Sequence, residues 1–175
     1  MLITVRQATN DDIDEVEMLY NALNDYLAIH ENYPRWRRDI YPLREHAQEG
    51  LDSGCLYVAE VQGRIAGTAI FLQEQGEVYE SVDWQIGYDV PVFVIHVLAV
   101  HPDFLRCGVG AALLSHAENI GKSMGVKAIR LDTYEENTPA ARLYEKCGYQ
   151  YRGTIDLGLE EIYGLKWYKV FEKVL

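Results

Sequence analysis

The sequence predicts one α/β domain over residues 1–175, built on a mixed β-sheet with helices on both faces. The predicted elements follow the order β-α-α-β-β-β-α-β-α-β-β, which is typical of a sheet covered by helices. The chain has 175 residues, of which 49% are hydrophobic, and this is enough for one core. No repeat, linker or low-complexity segment divides it.

The first half of the chain is predicted to hold three strands and two helices. The strands cover residues 2–7, 55–61 and 64–71. Thr9 and Asn10 are N-cap candidates for the first helix. The apolar side of that helix is formed by Ile13, Val16, Tyr20, Leu23 and Leu27. Residues 32–42 break the helical pattern before a second, shorter helix, and Gln62-Gly63 is a hairpin turn.

The second half is predicted to hold four strands and two helices. The strands cover residues 92–100, 128–132, 149–156 and 167–175. The first of them is a continuous apolar run, which is typical of a strand buried on both faces. Gly125 ends the first helix of this half. Thr138 and Pro139 are the N-cap and first residue of the second helix, which runs to Lys146 and stops at Gly148.

Charge, cysteine content and hydropathy exclude several classes of protein. Asp and Glu number 27 and Lys and Arg number 16, so the net charge is −11, which argues against nucleic acid or an anionic membrane as a partner. The acidic excess suits a cationic substrate, but ordinary solubility is the favoured explanation for it. Cys55, Cys107 and Cys147 show no metal-binding spacing, so we expect a reducing compartment and no metal. Without a signal peptide or a membrane-length apolar run, a cytoplasmic location is expected.

Residues 97–114 contain an apolar strand, a turn with two spaced glycines and the start of a helix. Gly108 and Gly110 allow positive φ and leave room for a ligand close to the main chain. The unpaired amide groups at the start of the helix, together with the helix dipole, favour an anion. The pattern therefore predicts a binding site for a pyrophosphate group.

The segment Leu105-Arg106-Cys107-Gly108-Val109-Gly110 resembles the acyl-CoA signature of the GNAT family of N-acetyltransferases, which is Gln/Arg-x-x-Gly-x-Gly/Ala after the fourth strand. Leu105 departs from the polar residue that is usual there, so a side-chain contribution at this position is lost. The resemblance implies a mostly antiparallel sheet with splayed fourth and fifth strands, and acetyl-CoA as co-substrate. It also implies that the pyrophosphate is bound by the main-chain amides of Arg106, Cys107, Gly108, Val109, Gly110 and Ala111.

A second motif, residues 131–149, resembles the later strand and helix of the same family. Its Asn137, Ala140 and Tyr144 are spaced by three and four residues, so they lie along one side of a helix. In the family, the tyrosine protonates the departing thiolate and the asparagine contacts the pantetheine chain. A phenol holds its proton at neutral pH, which suits this role for Tyr144.

Further roles are assigned to the fourth strand. By the same resemblance, the Leu98 amide stabilises the oxyanion and the Val100 amide pairs with pantetheine. His96, an imidazole inside this apolar strand, is one candidate for the general base. A lone histidine on a buried strand also fits a purely structural role. Glu80 or another carboxylate of the acidic segment at residues 73–90, acting directly or through water, is the other candidate for the base.

The acceptor site is predicted from an acidic, aromatic segment at residues 73–90. Tyr79 and Trp84 of this segment, together with Trp36 and Tyr41, offer ring faces to a cation, and the carboxylates of the segment offer counter-charges. A solvent-exposed surface hairpin is the alternative interpretation.

We therefore expect transfer of an acetyl group from acetyl-CoA to a primary amine of a small molecule or peptide, by direct attack in a ternary complex. A non-catalytic acyl-CoA sensor or partner-binding module is the alternative. A dinucleotide-binding turn is less favoured because Leu113 occupies the third glycine position and seven residues separate the strand from Gly108. By analogy, the sheet edge at the C-terminal strand predicts a homodimer.

Overall fold

The computed structural model describes all residues from 1 to 175 and contains seven strands and five α-helices. The strands are β1 (Thr4–Gln7), β2 (Leu56–Val61), β3 (Arg64–Leu72), β4 (Val92–Val100), β5 (Ala128–Tyr134), β6 (Gln150–Asp156) and β7 (Trp167–Val174). The helices are α1 (Ile13–Ile29), α2 (Arg44–Asp52), α3 (Val109–Ser123), α4 (Thr138–Lys146) and α5 (Glu160–Tyr163). The order is the predicted one with α5 added, a single turn too short to produce a periodic pattern.

The strands form one sheet in the order β1-β2-β3-β4-β5-β7-β6. Pairing is antiparallel between β1 and β2, β2 and β3, β5 and β7, and β6 and β7. β4 and β5 are parallel, with residues 92–95 opposite residues 128–131. The predicted mixed, mostly antiparallel sheet is thus confirmed. The sheet edge expected at the C-terminal strand is wrong, because β7 lies between β5 and β6 and the edges are β1 and β6.

The chain divides into two compact units. The first comprises Met1–Asn32, Trp36–Phe71 and His96–His116, and the second comprises Tyr33–Arg35, Leu72–Ile95 and Ala117–Leu175. The organisation of residues 1–175 as a single domain stays a prediction.

In the first unit, helix α1 buries the apolar side that its periodicity predicts. The five predicted residues, Ile13, Val16, Tyr20, Leu23 and Leu27, all lie in the core, and Leu19 joins them. The β2–β3 hairpin turns at Gln62 and Gly63, whose φ angles of 51° and 76° are what a tight two-residue turn requires. Near the start of α1, the Arg6 guanidinium binds the carboxylates of Asp12 at 2.7 Å and Glu60 at 2.5 Å. These ion pairs connect β1 to the entry of α1 and to β2.

In the second unit, residues 73–90 form a fixed cover over one face of the sheet, and we call them the cover segment. Its apolar side chains belong to one buried cluster, formed by Tyr79, Val82, Trp84, Val92, Val94, Ala128 and Val170. Beneath it, Arg130 of β5 and Glu172 of β7 form a fully buried ion pair at 2.8 Å. Arg130 donates to the Gly87 carbonyl, and Glu172 accepts from the Gln85 amide at 2.7 Å. The cover segment is therefore packed against the sheet and is not a solvated hairpin.

Candidate active site

The middle of β4 holds a strained residue directly before the predicted oxyanion donor. Val97 has a φ of 48°, a left-handed conformation that is costly for a β-branched side chain. A positive φ inside a strand interrupts its regular pleat and changes the direction of the peptide groups that follow. The next side chain is Leu98, which is partly exposed, and the residue before Val97 is His96, also partly exposed.

The loop after β4 carries five main-chain amides that donate no hydrogen bond within the protein. They belong to Arg106, Gly108, Val109, Gly110 and Ala111. The amide of Cys107 differs from them, because it donates to the Phe104 carbonyl at 3.3 Å. Five free donors at the start of one helix form the kind of site that binds an anion. We call residues 106–111 the amide loop.

Positive φ angles shape the amide loop. Arg106 has a φ of 61° and Gly108 a φ of 87°. The positive φ expected at Gly110 is wrong, because Gly110 lies within the first turn of α3 and has no positive φ. A Cβ added to Gly108 meets no protein atom closer than 3.9 Å, so the glycine is required by its backbone conformation, and the space in front of it is open. The side chains of Leu105, Arg106 and Cys107 are exposed.

A glycine of β3 sets the position of the first helical residue of the amide loop. A Cβ on Gly67 would lie 2.5 Å from Cγ1 of Val109 and 3.1 Å from the Ala99 carbonyl oxygen. Because Gly67 has no side chain, Val109 packs directly on β3 and is buried. Sequence reasoning missed this role of Gly67, since the contact joins residues far apart in the chain.

The start of the loop is also tied to β3. The His101 amide donates to the Ala66 carbonyl at 2.8 Å. Arg64 forms an ion pair with Asp103 at 2.9 Å and lies over the Phe104 ring, 5.0 Å from its centroid. The segment that leads into the amide loop is therefore held to β3 by these contacts.

In the second unit, the motif that carries Asn137, Ala140 and Tyr144 forms helix α4. The N-cap of α4 is Asn137, one residue before the predicted Thr138, so Pro139 takes the second helical position. The Asn137 side chain accepts from the Ala140 amide at 3.4 Å and donates to Thr133 Oγ1 at 2.9 Å. Asn137 thus fixes the entry of α4, and Ala140 lies on the first turn, partly exposed.

Tyr144 is buried on the inner side of α4. Its ring packs edge-on against Phe171 of β7, with 5.4 Å between centroids, and lies 6.3 Å from the ring of Tyr149. Burial, and secondly the negative charge of Asp132, raise the pKa of the Tyr144 phenol above its usual value. The phenol therefore keeps its proton throughout the neutral range and is suited to donate it.

Asp132 on β5 is a site residue to which the sequence analysis gave no role. Tyr79 of the cover segment donates its hydroxyl to Asp132 Oδ2 at 2.5 Å. Burial raises the pKa of Tyr79, with Asp132 as the next cause. Burial and the same carboxylate raise the pKa of Tyr168 on β7 to about 12. A carboxylate at the second position of the second motif, residues 131–149, was the signal that could have pointed to Asp132.

The structure divides the cover segment into buried rings and exposed acids. Tyr79 is 3% exposed and Trp84 is 5% exposed. The Trp84 indole donates to the Tyr79 carbonyl at 2.7 Å, and the guanidinium of Arg130 lies 4.3 Å from its ring centroid. One face of Trp84 thus already holds a cation of the protein itself. Glu80, a candidate for the general base, is exposed.

The other two predicted acceptor residues lie in the first unit. Trp36 and Tyr41 pack edge to face with 5.5 Å between ring centroids, and the His46 ring follows at 4.8 Å from Tyr41. All three rings are partly exposed. They form a short aromatic row that runs from the loop between α1 and α2 onto α2, where His46 lies.

The structure contains neither a metal-binding cluster of side chains nor a membrane-spanning helix. No group of three or more His, Cys, Asp or Glu side chains is arranged to hold a metal ion. None of the helices has the length and apolar character needed to cross a membrane.

Comparison with known proteins places the chain among acetyltransferases. The Acetyltransferase (GNAT) family model matches residues 16–149. An uncharacterized N-acetyltransferase of Methanocaldococcus jannaschii is 26% identical over 149 residues, which cover 84% of this chain and 60% of that protein. This chain therefore spans only about three fifths of the length of that relative.

Solved structures show the same fold. A GNAT family acetyltransferase from Streptococcus agalactiae superposes with a TM-score of 0.77 at 22% identity, covering 99% of this chain and 95% of that chain. A ribosomal-protein-alanine N-acetyltransferase from Brucella melitensis gives a TM-score of 0.70 at 17% identity, covering 98% and 99% of the two chains. Since the family model spans most of its residues and the fold agrees, the chain belongs to the GNAT family of acetyltransferases.

Proposed function

We propose that the protein transfers an acetyl group from acetyl-CoA to a primary amine of a small molecule or peptide, by direct attack in a ternary complex. The observation that carries this proposal is the amide loop, with five donors that have no acceptor within the protein. Membership of an acetyltransferase family supplies the reaction class.

The amide loop is proposed to bind the pyrophosphate of acetyl-CoA through backbone donors. Such a site does not depend on the side chain at position 105, so Leu105 is compatible with it. The free amides at the start of α3 coincide with the positive end of the helix dipole, which strengthens anion binding. Asn137, Ala140 and the Val100 amide are proposed to contact the pantetheine arm.

The chemical step needs a donor for the oxyanion, an acid for the thiolate and a base for the amine. The Leu98 amide is proposed as the oxyanion donor, supported by the strained Val97 before it. Tyr144 is proposed to protonate the departing sulfur, and its buried, protonated phenol suits this role. His96 and Glu80 both stay candidates for the base, acting directly or through water.

The acceptor is proposed to be a primary amine, which belongs either to a small molecule or to a peptide. The Brucella melitensis structure is named for a ribosomal-protein alanine, but at 17% identity the likeness extends to the fold alone. A cytoplasmic location stays a proposal, and the three free cysteines are compatible with it. The homodimer likewise stays a proposal.

Two measurements test the proposed function. Thermal melting with acetyl-CoA at 100 times its dissociation constant is expected to show a stabilisation of about 2.7 kcal/mol, with no shift from NAD. Thiol release from acetyl-CoA is then measured with a panel of amines. Binding without turnover on any amine would identify a non-catalytic acyl-CoA sensor, and stabilisation by NAD instead of acetyl-CoA would overturn the proposal.

A further inference from the structure

Three of the four buried side-chain polar atoms that have no hydrogen-bond partner belong to α1 and to the residues that follow it. They are the hydroxyl of Tyr20 and the carboxamide oxygens of Asn24 and Asn32, and the fourth is the hydroxyl of Tyr149. A buried oxygen without a donor has lost its hydrogen bonds to water and gained none in return, so such atoms are rare in folded proteins. Two carboxamide oxygens in this condition, one on α1 and one shortly after it, point to a donor that the protein itself does not supply.

Both asparagines hold a short segment that carries two aromatic rings. The Asn24 Nδ2 group donates to the Tyr41 carbonyl at 3.1 Å, and the Asn32 Nδ2 group donates to the Trp36 carbonyl at 2.6 Å. The rings of Trp36 and Tyr41 pack edge to face with 5.5 Å between centroids. Since the nitrogen and oxygen of a carboxamide are bonded to the same carbon, each unpaired oxygen lies next to one end of this segment. We call residues 36–41 the aromatic turn.

Trp36 differs from the other two tryptophans of the chain in what its ring meets. The guanidinium of Arg130 lies 4.3 Å from the ring centroid of Trp84, and the Lys166 ammonium lies 5.3 Å from that of Trp167. The Trp36 ring is partly exposed, and no lysine or arginine of the protein lies over it. Because the indole face attracts cations better than the other aromatic rings do, Trp36 offers an unoccupied position for one.

The charges around the aromatic turn favour a cation over an anion. Arg38 lies 2.6 Å from a carboxylate oxygen of Asp25, and Arg44 lies 2.6 Å from one of Glu17. These acids of α1 neutralise the two guanidinium groups, which therefore repel an approaching cation less. The net charge of the whole chain, −11, attracts cations as well.

We propose that the carboxamide oxygens of Asn24 and Asn32, together with the Trp36 ring, form a binding site for an alkylammonium group. The three N–H donors of such a group match two acceptor oxygens, and its charge matches the ring face. A neutral amide would supply donors without a charge for the ring. Since neither oxygen is accessible to solvent, the aromatic turn has to move outward for the ligand to reach them. The site lies wholly in the first unit and the ammonium group bound there need not be the one that is acetylated, so the inference goes beyond the proposed function.

The experiment compares three small ligands of the same chain length at pH 7. Butylammonium has both the charge and the N–H donors, butyltrimethylammonium keeps the charge without the donors, and 1-butanol has a donor without the charge. Binding is followed by nuclear magnetic resonance on the indole N–H signals of the three tryptophans, with Trp36→Phe identifying the signal of Trp36. Butylammonium is expected to shift the Trp36 signal and to leave those of Trp84 and Trp167 in place.

The wild type is expected to bind butylammonium about 10-fold more tightly than butyltrimethylammonium, the usual effect of a hydrogen bond to a charged group. Asn24→Leu and Asn32→Leu should each remove most of this preference, and Asn119→Leu, at an exposed position of α3, should keep it. The preference is a ratio of two affinities, so a general loss of affinity caused by a loosened aromatic turn does not change it. Asn32 is the more exposed of the two asparagines, so Asn32→Leu carries the test if Asn24→Leu does not fold.

Three results overturn the inference: no shift of the Trp36 signal with butylammonium, equal affinities of the wild type for butylammonium and butyltrimethylammonium, or a wild-type preference in Asn32→Leu. Tighter binding of 1-butanol than of butylammonium would also overturn it, because the charge would then have no partner. Acetyl transfer is tested separately by thiol release, and none of these results depends on it.

Discussion

Two buried phenols of the second unit differ in what their hydroxyl groups can do. Tyr144 and Tyr149 lie 6.3 Å apart between ring centroids, and burial raises the pKa of both. The Tyr149 hydroxyl is buried without a hydrogen-bond partner, whereas that of Tyr144 is assigned a proton-transfer role. The pair therefore offers the same chemical substitution at a proposed catalytic residue and at a neighbour outside the site.

Tyr144→Phe is expected to lower kcat by about 100-fold or more, the usual contribution of a general acid. The ring contact with Phe171 is kept, so the dissociation constant for acetyl-CoA should not change. Tyr149→Phe is expected to keep full activity and not to lose stability, because it removes a hydroxyl with an unmet hydrogen bond. Steady-state kinetics and calorimetry check both variants, and equal losses of kcat would exclude Tyr144 as the acid.

At the scale of the elements, α3 packs so closely on β3 that the β3 residue at the contact cannot carry a side chain. Gly67 of β3 faces Val109, the first residue of α3, and Val109 belongs to the amide loop. A shift of Val109 therefore moves the donors on which pyrophosphate binding depends. The position of the amide loop therefore depends on Gly67 of β3.

Gly67→Ala is expected to lower the free energy of unfolding by about 1–3 kcal/mol through overpacking. It should also weaken acetyl-CoA binding, because the new Cβ displaces Val109 or the backbone at Ala99. Gly76→Ala is the control, since a Cβ there meets nothing within 4 Å and its φ is −66°. Denaturant unfolding and calorimetry provide the two readouts, and wild-type affinity in Gly67→Ala would contradict the positioning role.

The cover segment depends on an ion pair between two strands. Arg130 and Glu172 are both fully buried, and each also binds backbone atoms of the segment. The Arg130 guanidinium also stacks over the ring of Trp84, a residue of the cover segment. Two sheet residues thus hold a long segment that has little regular structure of its own.

Arg130→Met is expected to cost about 3–5 kcal/mol in the free energy of unfolding, because it leaves the Glu172 carboxylate buried without its partner. The double variant Arg130→Met with Glu172→Leu should recover part of this loss, since no buried charge remains. Chemical denaturation of the single and double variants measures the difference. Equal stability of Arg130→Met and the wild type would show that the pair does not anchor the segment.

At the scale of the whole molecule, an ion-pair cluster near the N-terminus makes stability depend on pH. Hydrogen bonds from Arg6, opposed by burial and assisted by the Thr9 amide, lower the pKa of Asp12 from 3.8 to about 2. A lowered folded-state pKa contributes stability above the unfolded-state value. That contribution is lost as the pH falls, because the unfolded carboxyl group binds a proton first.

Asp12→Asn is expected to lose about 1–2 kcal/mol of stability at pH 7 and to approach the wild type near pH 1. The difference should shrink from about pH 5 downward and disappear only below the folded-state pKa of about 2. The neighbouring Asp11→Asn, at an exposed position, serves as the control. Urea unfolding across this pH range is the measurement, and a difference that persists undiminished near pH 1 would argue against the Arg6–Asp12 interaction as its source.

The sequence by itself determined the local structure and the family motifs. The apolar run 92–100 predicted β4 with its observed ends, and of the two glycines predicted to allow a positive φ, Gly108 adopts one and Gly110 does not. Residues 105–110 identified the family that the comparisons then showed. These features are accessible because backbone preference and hydrophobic periodicity are encoded within a few consecutive residues.

Only the tertiary structure decided which distant side chains meet. Tyr79 and Asp132 are 53 residues apart, and Arg130 and Glu172 are 42 residues apart. The location of β7 inside the sheet and the contact of Gly67 with Val109 were likewise not predictable from the sequence. Each depends on how strands pair and pack across space, and the pattern of any one segment is compatible with several such arrangements.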